Sequence, residues 1–252
     1  MLVIRDAQMK VLGDDARARF EAQLRDVFLA VYPRECRQAG GPTAVLDWVR
    51  HGLQAAQAAG HDSGQEGSRW VALTMMLGVD FAVDPQLPWV REALDDADGA
   101  DGAARLDRLY ARTVDYLGAT AGEDAELVVR ALLRIRAIDY AAIAPQHDEA
   151  AAVADACTRL QALYPAKFAF QGAELTARTV AQDRARARAH GLQDAGAQFL
   201  FVLLGFMLGS GFDHDPLHGW AGRALREGDV ADRAARLQAA TLAHVELSLG
   251  GG

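Results

Sequence analysis

The chain repeats one of its own segments, and a repeat of this length constrains a fold more than composition does. Residues 76–94 read Met-Leu-Gly-Val-Asp-Phe-Ala-Val-Asp-Pro-Gln-Leu-Pro-Trp-Val-Arg-Glu-Ala-Leu, and residues 207–225 align to them without a gap. The shared phenylalanines, Phe81 and Phe212, set the offset at 212 − 81 = 131 positions. Shorter matches accompany the long one: residues 104–106 with 235–237, 60 with 191, 4–5 with 135–136, and, at 132 positions, 32–33 with 164–165. One internal duplication explains them all.

The duplication predicts a chain built from two similar halves. We expect residues 1–121 to form the first half, residues 122–131 to begin a linking helix, and residues 132–252 to form a second, more divergent half. A length of 252 residues is enough to bury a full core, so we expect the halves to pack as one compact unit.

Apolar residues recur at helical spacing almost everywhere. Phe20, Leu24, Val27, Phe28 and Val31 lie on one stripe of a helix that we expect to end near Pro33. Further helices are predicted over residues 42–60, 68–77, 85–95, 106–117 and 123–143. No stretch shows sustained strand alternation. The predicted fold is therefore all-α, with about ten helices in two antiparallel helical halves.

Charge, cysteine content and hydropathy exclude several classes of protein. Acidic residues number 34 against 26 basic ones, so the net charge of −8 does not favour a nucleic-acid partner. The apolar run 199–208 has about half of the ~20 residues that cross a bilayer, which predicts a buried helix and no membrane partner. Cys36 and Cys157 lack zinc or disulfide spacing, and residues 1–6 lack the features of a signal peptide. We therefore expect a cytoplasmic protein.

The repeated segment is typical of a corner between two helices. Glycine permits the positive φ that lets a chain leave a helix, aspartate caps a following helix, and proline suits its first turn. Paired aromatic residues can close over such a corner. The corner residues, which are also possible partner contacts, are Gly78, Asp80, Phe81, Asp84, Pro85, Trp89, Gly209, Phe212, Asp215, Pro216 and Trp220.

An alternative hypothesis assigns catalytic or metal-binding residues to these corners. Asp80 and Asp84 would form a carboxylate pair, or the cluster at residues 213–215 and 218 would bind a metal in a hydrolase. The repeat argues against both, because Asp80 becomes Gly211, and His214 and His218 match apolar residues of the first half. We predict no catalytic, cofactor-binding or metal-binding residue, and therefore a protein that is not an enzyme.

Three other features are weaker candidates. His244 lies on an apolar stripe with Leu237 and Thr241, which favours a packed helix-face histidine over a catalytic base. The alternating arginines of residues 184–188 spread around a helix and predict a solvated face. Aspartates at positions 95, 96, 98 and 101 suit a mobile acidic loop that contacts a basic partner.

Residues 3–96 resemble a group of small helical bacterial proteins associated with type VI secretion gene clusters. The resemblance rests on residues 3–5 and 8–9, Phe20, residues 32–33, the helix end at Gly60 and, above all, Met76-x-Gly-x-Asp-Phe-x-x-Asp-Pro-x-x-Pro-Trp89. The second half departs from the motif at Gly211 and Gly219.

The resemblance implies a cytoplasmic accessory that binds another protein. The expected role is an adaptor or chaperone for a secreted effector or its spike-associated carrier. An immunity protein that neutralises a cognate toxin is the alternative. The sequence leaves this choice open, together with the identity of the partner, the binding surface and the oligomeric state.

Overall fold

The computed structural model describes residues 6–95 and 101–250, with side chains from residue 14 onward, and every regular element in these ranges is helical. The first six helices are α1 Asp6–Val31, α2 Pro33–Ala39, α3 Pro42–Ala58, α4 Gly64–Leu77, α5 Pro88–Asp95 and α6 Gly102–Ala121. Seven more follow: α7 Glu126–Arg136, α8 Glu149–Leu163, α9 Pro165–Gln171, α10 Ala173–Ala189, α11 Ala195–Leu208, α12 Gly219–Arg226 and α13 Arg233–Leu249. Four short 3₁₀ turns lie at Glu123–Ala125, Tyr140–Ala142, Pro216–His218 and Val230–Asp232. The all-α prediction is confirmed for the described residues.

The predicted number of about ten helices is wrong, because the described residues form thirteen α-helices. Pro33 and Pro165 each end one helix and occupy the first turn of the next, which adds the short helices α2 and α9. Proline lacks an N–H, and a first helical turn does not need that N–H. The predicted helix over residues 123–143 is also interrupted, since Asp124 and Ala125 have positive φ and α7 ends at Arg136.

Helix starts are set by local side chains. Ser63 and Glu66 form a reciprocal capping box at the start of α4, which therefore begins four residues before the predicted Ser68. Asp194 caps α11 by accepting a hydrogen bond from the Ala197 N–H. The predicted helix over residues 85–95 instead begins at Pro88, because residues 84–87 form a turn. Asp95 and Asp101 of the predicted acidic loop are described, whereas Asp96 and Asp98 lie outside the described residues. Residues 3–5, which contribute to the family resemblance, also lie outside them.

Helix bounds recur along the chain at a nearly constant spacing. The bounds of α3, α4 and α5 reappear 131 positions later as those of α10, α11 and α12, and α13 begins 131 positions after α6. Short α2 reappears as α9 at 132 positions. Positive φ recurs as well: Gly60 has φ 83° and Gly191 has φ 79°. We refer below to α1–α6 as the first set of helices and to α8–α13 as the second set.

Each set of helices has its own core. Trp48 and Phe81 are among the fully buried side chains of the first set, and Phe201 and Phe212 among those of the second. The apolar run predicted to be a buried helix lies in α11, where every residue from 196 to 206 is buried. No helix among the described residues is long and apolar enough to cross a membrane. The two free cysteines, Cys36 and Cys157, are buried and half-buried.

The two sets meet through corresponding elements. From α2, the Arg34 guanidinium and the Gln38 amide donate hydrogen bonds to the Leu247 carbonyl of α13, at 3.0 and 3.3 Å. On the other side, the Tyr164 hydroxyl before α9 donates to the Thr120 carbonyl of α6 at 2.8 Å. The centre of the interface is formed by two corners, residues 78–87 and 209–218, which we call the first and second corner.

Candidate functional site

The two corners cross at their glycines. Gly78 has φ 97° and ψ 161°, and Gly209 has φ 98° and ψ 160°, a left-handed conformation that only glycine adopts easily. A Cβ on Gly78 would lie 2.9 Å from the Leu208 carbonyl oxygen, and one on Gly209 would lie 3.1 Å from the Leu77 carbonyl oxygen. Each glycine therefore packs on the last carbonyl of the opposite helix, a contact that the sequence could not reveal.

The two corner aspartates organise the crossing. Asp84 Oδ1 accepts a hydrogen bond from the Gln86 N–H, and its Oδ2 accepts one from the Ser210 N–H of the other corner, both at 2.8 Å. Asp215 Oδ1 accepts the equivalent local bond from the Leu217 N–H at 2.8 Å. The following prolines, Pro85 and Pro216, occupy the turns that these carboxylates close. Burial raises the pKa of Asp215 to about 6.

The corner aromatics pack into the two cores. Phe81 lies 4.8 Å from the Trp70 ring and Phe212 lies 4.9 Å from the Phe201 ring, measured between centroids. Both corner phenylalanines are about 1% exposed. The tryptophans pack farther out: Trp89 lies 5.7 Å from Tyr116, and Trp220 stacks on His244 at 4.9 Å.

A cluster of charged side chains lies beside the crossing, which we call the corner network. Its centre is His214, whose Nε2 lies 3.1 Å from Asp80 Oδ2 and whose Nδ1 lies 3.0 Å from Asp213 Oδ1. Asp213 also accepts hydrogen bonds from Arg186 at 2.8 Å and His190 at 3.0 Å. Asp80 comes from the first corner and the other four residues from the second set. The network therefore contributes a charged contact across the interface.

Mutual pairing shifts the pKa values within the network. Hydrogen bonds to Asp213 and Asp80 raise the pKa of His214 to about 10, so its imidazole is a cation at neutral pH. Burial would raise the pKa of Asp213, but hydrogen bonds from His190 and His214, with the charge of Arg186, hold it far below its usual value. The hydrogen bond from His214 lowers the pKa of Asp80. A cationic His214 between two carboxylates cannot accept a proton from a substrate.

Asp183 extends the network into the core of the second set. Its Oδ1 accepts a hydrogen bond from Arg186 at 3.0 Å, and the residue is 5% exposed. Burial raises the pKa of Asp183 to about 7, against the lowering effect of Arg186. A buried carboxylate needs a partner, and Arg186 provides one for both Asp183 and Asp213.

Sequence reasoning missed this part of the site. The arginine run was predicted to be a solvated face, but its members divide between two sides of α10. Arg184 and Arg188 both pair with Glu149, at 3.0 and 2.9 Å, whereas Arg186 points into the corner network. The available signal was the spacing of Asp183 and Arg186, since residues three apart are neighbours on a helix.

The residues considered for a metal site separate in the structure. Asp213 and His214 belong to the corner network, Asp215 closes its own turn, and His218 lies near His244 with 6.1 Å between ring centroids. Burial lowers the pKa of both histidines to about 4, so both are neutral at pH 7. Within residues 14–95 and 101–250, no group of three histidine, cysteine or acidic side chains is placed to hold a metal ion.

A cavity of about 200 Å³ lies between the corners. Both corner glycines and both corner aspartates line it, together with α4, α6 and α11. Gln86 and His218 contribute polar side chains, and Lys167 of α9 contributes the cationic one. The Lys167 ammonium lies 5.2 Å from the centre of the Phe206 ring.

The fold and site define an all-α protein whose two sets of helices are joined by crossing corners and a charged network. A small cavity lies between the corners. Comparison with protein-family models, with curated proteins and with solved structures finds no match.

Proposed function

We propose that the chain is an internally duplicated helical protein that acts by binding another protein. The duplication is supported by the recurring helix bounds and by the corner glycines, whose φ and ψ angles agree within about one degree. The duplication is also supported by facing residues whose sizes are reversed between the two sets of helices. On α3, Gly52 faces Val71 and Thr74 of α4, whereas on α10 the corresponding Asp183 faces Gly205 of α11.

The observation that carries the binding proposal is a concentration of exposed apolar side chains. The described residues expose eleven large apolar side chains, and five of them lie on three neighbouring helices. α6 contacts both α7 and α9. We propose that five exposed side chains of these helices form one interaction surface, which we call the apolar face: Tyr110, Val114, Val129, Leu133 and Phe170. Exposed apolar side chains gathered on one surface are typical of protein interaction sites.

The helix positions of these residues suit a partner that lies across the helices. Tyr110 and Val114 are one turn apart on α6, and Val129 and Leu133 are one turn apart on α7. Phe170 of α9 packs against the buried Tyr116 of α6 with 5.0 Å between ring centroids, so α9 brings a partly exposed aromatic side chain next to α6. The net charge of −8 favours a basic partner.

Binding without turnover is the function that the polar residues support best. The ionised groups of the corner network pair with one another, and its central histidine, His214, is held as a cation. The described residues offer no group of metal ligands for a hydrolase. The motif of the first half supports a more specific role, an adaptor or chaperone that loads a type VI secretion effector.

Immunity remains the second candidate, and it differs from an adaptor in outcome. Deleting the gene of an adaptor stops export of the effector and leaves sibling cells healthy. Deleting the gene of an immunity protein leaves export intact and causes self-intoxication. We expect loss of export without self-intoxication, and self-intoxication with intact export would instead establish immunity.

Affinity purification of the chain with the products of neighbouring genes tests the apolar face. We expect one product to bind, and Val114→Glu or Leu133→Glu to weaken binding by at least tenfold. Val27→Glu is the matched control, because Val27 is as exposed as these residues but lies on α1. Equal loss in all three variants would contradict the assignment of the face, and failure of every neighbouring product to bind would contradict the function.

A further inference from the structure

The cavity between the corners contains buried polar atoms without partners. The Gln86 Nε2 group donates to the Gly205 carbonyl at 2.8 Å, which fixes the orientation of the amide and leaves Oε1 on its other side. Neither Gln86 Oε1 nor His218 Nδ1 has a hydrogen-bond partner among the described residues, although both atoms are buried. Gln86 is 6% exposed. Leaving such atoms unpaired costs on the order of 1–3 kcal/mol each, and because both residues line the cavity, a molecule bound there can supply the missing partners.

Packing does not require these polar side chains. The position of Gln86 in the first corner corresponds to Leu217 in the second, and the position of His218 corresponds to Leu87. Leucine thus fills each position in one of the two corners. The polar residues occur once per corner and at adjacent positions, and both line the same cavity. This arrangement supports a ligand site better than a role in the core.

Charge defines the ligand further. Lys167 lines the cavity and takes part in no ion pair among the described residues, so its ammonium is available to an anionic group. Asp84 and Asp215 line the cavity too, and with Gln86 Oε1 they offer acceptors to a cationic or N–H group. Met76 and Met207 supply apolar walls. The lining therefore complements a small molecule with both charges and an apolar body.

We propose that the cavity binds a small zwitterion with an apolar side chain, of the size of a free α-amino acid. One buried water needs roughly 10–15 Å³ of such space, so a cavity of about 200 Å³ accommodates a ligand of this size. The ammonium of the ligand meets Gln86 Oε1 and the corner carboxylates, and its carboxylate meets Lys167. His218, neutral at pH 7, provides a further hydrogen bond. The proposal does not depend on the partner-binding function.

Isothermal titration of the purified full chain with L-leucine and L-methionine tests the site. We expect saturable binding with a stoichiometry of one. The leucine analogues 4-methylpentanoate, which lacks the amine, and 3-methylbutylamine, which lacks the carboxylate, should bind at least tenfold more weakly. Absence of saturable binding by either amino acid at 10 mM would overturn the proposal, and so would binding of either analogue as tightly as L-leucine.

Variants place the binding in the cavity. Gln86→Leu and His218→Leu introduce the residue that the other corner carries, so the fold should tolerate them, and each should weaken binding at least tenfold. Lys167→Met should have the same effect and reduce the preference for leucine over 3-methylbutylamine. Gln161→Leu, at an exposed position on α8, is the control for the glutamine change. If all folded variants bind as tightly as the wild type, the ligand binds elsewhere and the proposal is wrong.

Discussion

Asp80 and Gly211 occupy corresponding positions of the two corners, and the structure explains why they differ. The corners cross so that the two positions face each other: a Cβ on Gly211 would lie 2.8 Å from Asp80 Oδ2. A second aspartate would therefore place two carboxylates in contact. The chain keeps the carboxylate of Asp80, pairs it with His214 and has glycine opposite. The departure from the repeat is a consequence of the crossing.

Gly211→Asp should destabilise the protein by about 2–3 kcal/mol, because it adds both a clash and a like charge. Chemical denaturation measures the change. Gly211→Ala is the control for size alone and should cost less. In an Asp80→Ala background the penalty of Gly211→Asp should shrink by at least half, and an unchanged penalty would show that the two positions do not face each other.

His214 should make stability depend on pH. Its folded pKa of about 10 exceeds the unfolded value of ~6.5, so its stabilisation is complete below pH 6.5 and is lost as pH rises through 10. Because the imidazole is half-exposed, solvent screening limits the contribution to about 1–2 kcal/mol. His214→Asn should therefore be less stable than the wild type at pH 6 and nearly as stable at pH 10. A constant difference over this range would contradict the assignment.

Helix pairs show how much of the fold the sequence could predict. Helical periodicity and the repeat predict the all-α class, the position of the corners and the capping role of Asp215. The predicted capping role of Asp84 is wrong, because its carboxylate closes the turn at residues 84–87 and α5 begins only at Pro88. Periodicity and the repeat do not predict α2 and α9, because proline was interpreted as a helix end and not also as a helix start. The corner network could not be predicted from the sequence either, because Asp80 and His214 are far apart in the chain and only packing brings them together.

The contact between α10 and α11 depends on the sizes of facing residues on both helices, which the sequence of one helix alone does not show. Gly205 is small because a Cβ there would lie 2.5 Å from Asp183 Oδ2. The corresponding residue of α4 is Thr74, which faces Gly52 on α3. The same space is thus filled from opposite helices in the two sets.

Gly205→Thr, which introduces the residue of the first set, should cost about 2–4 kcal/mol in the presence of Asp183. The additional change Asp183→Gly should recover at least half of this loss, because it recreates the pairing of Gly52 with Thr74. Gly118→Thr is the control, since nothing lies within 4 Å of a Cβ on Gly118 of α6. Thermal and urea unfolding report the changes. If the effects of Gly205→Thr and Asp183→Gly on the free energy of unfolding simply add, the two positions do not correspond to Thr74 and Gly52.

In the whole molecule, the crossing corners and the proposed binding surface are formed by different residues. The crossing corners and their network hold the two sets of helices together, and the cavity lies at their junction. The apolar face is formed by α6 of the first set, α7 between the sets and α9 of the second set. None of its five exposed residues lies in either corner, so the central claim of the proposed function is that a partner binds the apolar face without disturbing the crossing.

Hydrogen–deuterium exchange on the complex with the co-purified partner tests this claim most directly. Slower exchange is expected in α6, α7 and α9, with little change in α1 and α3. Val27→Glu should leave that protection intact, whereas Val114→Glu should remove it. Protection confined to α1, α2 and α13, with unchanged exchange on the apolar face, would contradict the account.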